Sequence, residues 1–76
     1  MISELDTVVL EHDIQEYSLT KGDIGAVVYC YEKGQAFEVE FVTAGGETIA
    51  LLTLSSNDVR LMYPKEILHV RELTAA

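Results

Sequence analysis

The segment from Lys21 to Phe41, KGDIGAVVYCYEKGQAFEVEF, limits what this chain can fold into more than any other part of it. It opens on a Gly22-Asp23-Ile24-Gly25 corner and runs through an apolar stretch to Tyr31. A Lys33-Gly34 turn follows, and the chain returns as Phe37-Glu38-Val39-Glu40-Phe41. The return leg repeats every two residues. Phe37, Val39 and Phe41 take one face, and Glu38 and Glu40 take the other. A slip of one residue would bury both carboxylates, so the register is well specified. The segment reads as a β-hairpin entered through a glycine corner, with aromatic rings inward and glutamates outward.

The flanking segments extend that sheet. Leu5 to Leu10 is short and β-branched and predicts a first strand. Glu11 to Thr20 is a polar connection anchored at Ile14, Tyr17 and Leu19. Lys21-Gly22-Asp23 is a turn. Ile24 to Tyr31 is the second strand, with Gly25 marking a bulge or a sharp corner. Glu32 to Gln35 closes the hairpin, and Ala36 to Val42 is the third strand. Ala44-Gly45-Gly46 makes a second tight turn into a fourth strand, Thr48 to Leu54. That strand is apolar on both faces: Ile49 and Leu51 lie on one, Ala50, Leu52 and Leu54 on the other. Ser55 to Asp58 is a polar break able to start a single helical turn. Val59–Met62 and Ile67–Val70 are two further apolar segments separated by Pro64, at least one of which is expected to be a closing strand. No segment carries helical periodicity beyond two turns. Short strands joined by glycine-rich turns predict an all-β fold, a small SH3-like antiparallel barrel of five to six strands with at most one short helical turn. Residues 1–76 form a single domain on this reading, with 74–76 a frayed tail.

Composition narrows the role. A chain of 76 residues buries only about 60% of the surface its unfolded form exposes, so its core is thin. Apolar residues make up 49% of it, too many for a disordered segment. Cys30 is the single cysteine, which excludes an internal disulfide. Met1-Ile2-Ser3-Glu4 lacks the basic start of a secretion signal, and no apolar run reaches membrane-spanning length. A cytoplasmic location is expected. Thirteen acidic residues against five basic ones give a net charge of −8. Such a field repels phosphate backbones, which argues against nucleic acid. It favours fast encounter with basic partners.

Catalytic chemistry finds little to build on. His12, in Glu11-His12-Asp13, has no metal-ligand spacing around it and reads as a solvated loop residue. His69 alternates with Leu68 and Val70 and reads as an outward strand residue. Cys30 has no adjacent base and reads as a buried, inert thiol. Gly22 to Gly25 lacks both phosphate-binding signatures. Glu38 and Glu40 lie about 7 Å apart on one strand face, as the strand rise dictates, with no pocket signal beside them. No catalytic residue, metal or cofactor is expected, and the chain reads as a non-enzymatic protein.

Interaction chemistry finds more. Tyr17, Tyr29, Tyr31 and Tyr63 combine an apolar ring with a polar tip, and the chain has no tryptophan for a polyproline groove. Together with Ile49 and Leu51 on the surplus face of the fourth strand, they are the candidate interface. That face is expected either to meet another chain or to lie under the C-terminal segment.

Five blocks of the chain resemble an uncharacterised family of small bacterial, often cyanobacterial, stand-alone proteins known only as a domain of unknown function. They are Leu5 to Leu10, Leu19 with Lys21 to Val28, Phe37 to Phe41, Gly46-Glu47-Thr48 with Ala50 and Thr53-Leu54, and His69 to Leu73. The resemblance covers roughly Leu5 to Leu73. It implies an SH3-like barrel. It further implies an antitoxin- or immunity-like role toward a protein encoded nearby, and it supplies no catalytic residues. The leading expectation is an acidic interaction module that binds a basic protein partner, without nucleic acid or membrane. The alternative is a structural or accessory subunit of a larger complex, or a homo-oligomer.

Overall fold

The fold, a computed structural model, is described for residues 1–31 and 34–73. Among the described residues there are five strands, β1 (Thr7–Leu10), β2 (Ile24–Tyr31), β3 (Ala36–Val42), β4 (Thr48–Ser55) and β5 (Val59–Leu61). A 3-10 turn, Gln15–Tyr17, lies between β1 and β2. The strands form one antiparallel sheet in the order β4-β3-β2-β1-β5. This is the expected all-β, SH3-like arrangement, open rather than ringed by hydrogen bonds: among the described residues, β4 and β5 remain edges. Glu32 and Lys33 of the first hairpin turn and the terminal Thr74-Ala75-Ala76 lie outside the described residues.

Strict alternation on β3 sets the core. Phe37, Val39 and Phe41 are at most 2% exposed, and Glu38 and Glu40 point to the opposite face. Val8, Leu10, Leu19, Val27, Ala50, Leu54 and Val59 complete one cluster with them. Gly25 is needed here for closeness rather than for a bulge. A Cβ at Gly25 would lie 2.7 Å from Val39 Cγ1 and 2.9 Å from Phe41 Cε2.

The sheet's two irregularities lie elsewhere. On β2, Val27 faces Val39 but Tyr29 faces Glu38, so Val28 is an extra, bulged residue. On β4, Ala50 faces Phe41 but Thr48 faces Val42, which makes Ile49 the extra residue. Each bulge reverses the alternation beyond it. Cys30 consequently turns inward, half-buried, with Sγ 3.9 Å from the carbonyl oxygen of Ile2. Ile2 itself packs against the core.

Three expectations require correction. The first strand starts at Thr7, not Leu5: Leu5 has φ 74° and is exposed, because a turn held by the Asp6 carboxylate on the Ser3 N–H (2.9 Å) precedes the strand. The helical turn falls at Gln15–Tyr17 rather than after Ser55. There, the Asp58 carboxylate accepts the Ser55 N–H (2.8 Å) and draws the backbone into a tight turn leading to β5. Finally, His69 is not a strand residue: of the two late apolar segments, Val59–Leu61 is the expected closing strand and Ile67–Val70 lies outside the sheet. β5 occupies the free edge of β1, and after Pro64 the chain leaves the sheet with Ile67 and Val70 about nine-tenths exposed.

Candidate functional site

The outer face of β2, β3 and β4 gathers the richest set of interaction chemistry. Its position follows from the Val28 bulge. Strict alternation from the buried Gly25 and Val27 would send Tyr29 and Tyr31 into the core. The extra residue turns both outward, where they are 50% and 40% exposed. Their rings meet edge to face, 4.9 Å between centroids at 72°, a favourable aromatic geometry.

Across the strands, Tyr29 lies opposite Glu38 and Glu38 opposite Thr53. Glu40 stands between Ala26 and Leu51. The Thr53 hydroxyl donates to Glu38, and Thr48 Oγ1 donates to Glu40 Oε2 at 2.8 Å. These bonds fix both half-buried carboxylates in place on the sheet. Burial and the neighbouring Glu38 carboxylate push the Tyr31 hydroxyl above its ordinary pKa. The phenol therefore stays protonated and able to donate. Leu51 (53% exposed) and Val42 (54%) supply apolar area beside the charges. The face thus offers rings, aliphatic area and two oriented carboxylates.

Of the six residues expected at an interface, the fold brings three onto this face: Tyr29, Tyr31 and Leu51. Ile49, as the bulged residue of β4, turns half-buried onto the core. Tyr17 ends the 3-10 turn of the first loop. Tyr63 follows β5, at the sheet edge remote from β4, where its ring stacks under the Arg60 guanidinium at 4.7 Å. A shallow groove of about 440 Å³ runs beside Tyr63, between Thr7, Met62 and Leu68. Sequence reasoning omitted Glu38, Glu40, Thr48 and Thr53 from the interface. The signal was available in the β3–β4 hairpin, whose register sets these carboxylates and hydroxyls side by side.

The polar clusters elsewhere tie loops together. His12 Nε2 lies 2.7 Å from Asp58 Oδ1, and Nδ1 lies 3.0 Å from the Asp13 carbonyl oxygen. With an acceptor at each ring nitrogen, the imidazolium form is favoured, and His12 is raised above its ordinary pKa, chiefly by Asp58. Arg71 Nε donates to Asp23 Oδ1 at 2.8 Å and Nη2 donates to the Ser18 carbonyl, which moors the C-terminal tail to the first loop. Burial pushes the Asp23 carboxyl up, but Arg71 and the Thr20 N–H outweigh it and hold it below the usual range. Among the described residues, no three His, Cys, Asp or Glu side chains converge as a metal-binding group. Among those residues, no helix is long and apolar enough to cross a membrane.

A family described as a domain of unknown function (DUF4926) matches residues 4–61. The match takes in all five strands and stops at the end of β5. No curated protein matches the chain, and no solved structure does.

Proposed function

Because the chain belongs to that family of unknown function, we propose its role from the surface it presents: a non-enzymatic interaction module that binds a basic protein partner through the outer face of β2, β3 and β4. The observation that carries this reading is the grouping of Tyr29, Tyr31, Glu38, Glu40 and Leu51 on one face. Tyrosine anchors with adjacent aliphatic area supply desolvation energy at low entropic cost. The two carboxylates select cationic groups, and the overall charge of −8 steers encounter. A bacterial setting and an antitoxin- or immunity-like role toward a basic protein encoded nearby are the form of this proposal that the sequence resemblance favours, and a cytoplasmic location is the setting the sequence composition favours.

Co-purification with a tagged chain under native expression tests it. The expected result is a stoichiometric basic protein that is lost when Glu38→Lys and Tyr31→Ala are introduced together. Recovery of no stoichiometric protein, or of one that the double variant retains, ends the proposal.

A further inference from the structure

The two edges of the sheet differ sharply. β5 is three residues long, carries Arg60 and is soon followed by Pro64, all devices that discourage strand pairing. β4 is eight residues long and has no charged residue and no proline. Among the described residues it pairs with β3 alone. Its outer side is therefore a row of backbone donors and acceptors open to another strand.

Side-chain chemistry indicates what that strand carries. Thr48, Leu51 and Thr53 are exposed, and behind the two threonines stand Glu40 and Glu38, each bonded to a threonine hydroxyl. A strand added to β4 would lie two strand spacings, about 10 Å, from β3. A lysine or arginine on it reaches that far across a threonine, with its aliphatic stem resting on Leu51. Glu38 and Glu40 are two residues apart, which matches successive outward positions of an extended chain. On the opposite face the added strand would continue the row of Ala50, Leu52 and Leu54, where apolar side chains are called for. A second copy of this chain is a poorer occupant. Joining β4 to β4 would set two surfaces of net charge −8 side by side, with the Glu38 and Glu40 pairs of both copies on one continuous sheet.

We infer that the partner is held by strand addition to β4, through an extended segment that alternates lysine or arginine with β-branched apolar residues. The inference rests on the basic-partner reading above and specifies its geometry.

Three capped octapeptides alternating Lys or Arg with Val test it against the intact protein. One is unmodified, and the other two are N-methylated at alternate amides along one edge or the other. Methylation removes N–H donors on one side of a strand and leaves every side chain in place. The unmodified peptide is expected to slow hydrogen exchange at backbone amides of β4. One methylated peptide should lose at least tenfold in affinity while the other binds nearly as well as the parent. Glu38→Gln and Glu40→Gln should each weaken binding roughly threefold, as exposed charge pairs do. Equal binding by all three peptides overturns strand addition while leaving a basic partner on the outer face. Failure of every peptide to bind overturns the inference, and co-purification then judges the partner reading separately. Protection of β4 amides without peptide, rising with protein concentration, also overturns it, in favour of self-pairing.

Discussion

Gly25 shows how one missing side chain can let a core close over a strand. Its φ is ordinary, and what the position requires is space, because Val39 and Phe41 close over it. Gly25→Ala drives a methyl group into two core side chains. Overpacking of this kind costs about 1–3 kcal/mol. Urea denaturation should show a lower midpoint with an unchanged slope, and a variant as stable as the parent would contradict the close packing at this site. His12 gives a pH dependence. Its pKa is raised by Asp58 first and the Asp13 carbonyl second, and Asp58 is lowered by His12 first. The contribution of a raised histidine is complete below its ordinary value of 6.5 and fades as pH rises through its folded value. The contribution of a lowered carboxyl is complete above its ordinary 3.8 and fades as pH falls through its folded value. The bridge between the first loop and the β4–β5 turn is therefore strongest between those ordinary values. An NMR titration should place His12 above 6.5, and Asp58→Asn should bring it down. Titration at the ordinary value in both proteins would show that the bridge does not form in solution.

At the scale of elements, β2 and β3 were legible to their last residues because alternation, glycine punctuation and β-branched composition agree there. What alternation could not reveal was the bulge at Val28. Nothing in Val27-Val28-Tyr29 distinguishes an extra residue from a regular one, yet that residue decides whether the tyrosines face the core or water. Ile49 follows the same logic. The two-sided apolar pattern of β4 looked like a surplus face, and the bulge absorbs half of it, so only Leu51 remains outside. Of the two late apolar segments, Val59–Leu61 closes the sheet against β1, while Ile67–Val70, set apart from it by Pro64, does not pair. The tail is instead fastened by charges. Arg60 donates to both oxygens of Glu66 at 2.9 and 2.7 Å, which lowers that carboxyl to about 2, and Arg71 binds Asp23. These are surface contacts, and a chain ending at Tyr63 should keep its fold, with Tm falling by about a few degrees. Glu66 is lowered, so its contribution holds above its ordinary value of 4.5 and disappears as pH falls toward 2. The difference in Tm between the two chains should shrink over that acid range. A truncated chain with no cooperative transition would show that the tail is part of the folding unit.

For the whole molecule, the proposed basic partner makes charge a kinetic matter. At −8 on 76 residues, long-range attraction would dominate association with the proposed basic protein. With ionic strength raised from about 0.01 to 0.15 M, the Debye length shrinks from about 30 to 8 Å. Stopped-flow association rates should then fall by at least tenfold, with little change in dissociation. A rate indifferent to salt would point to recognition by apolar contacts alone. The same thin body leaves its one cysteine half-buried near the first residues of the chain, with Sγ beside the Ile2 carbonyl. Labelling of Cys30 should therefore quicken when those N-terminal residues lift away. The protein thus carries its own stopwatch: thiol labelling times the breathing of its N-terminus, and a docked partner that stiffens the sheet would register as a slower tick.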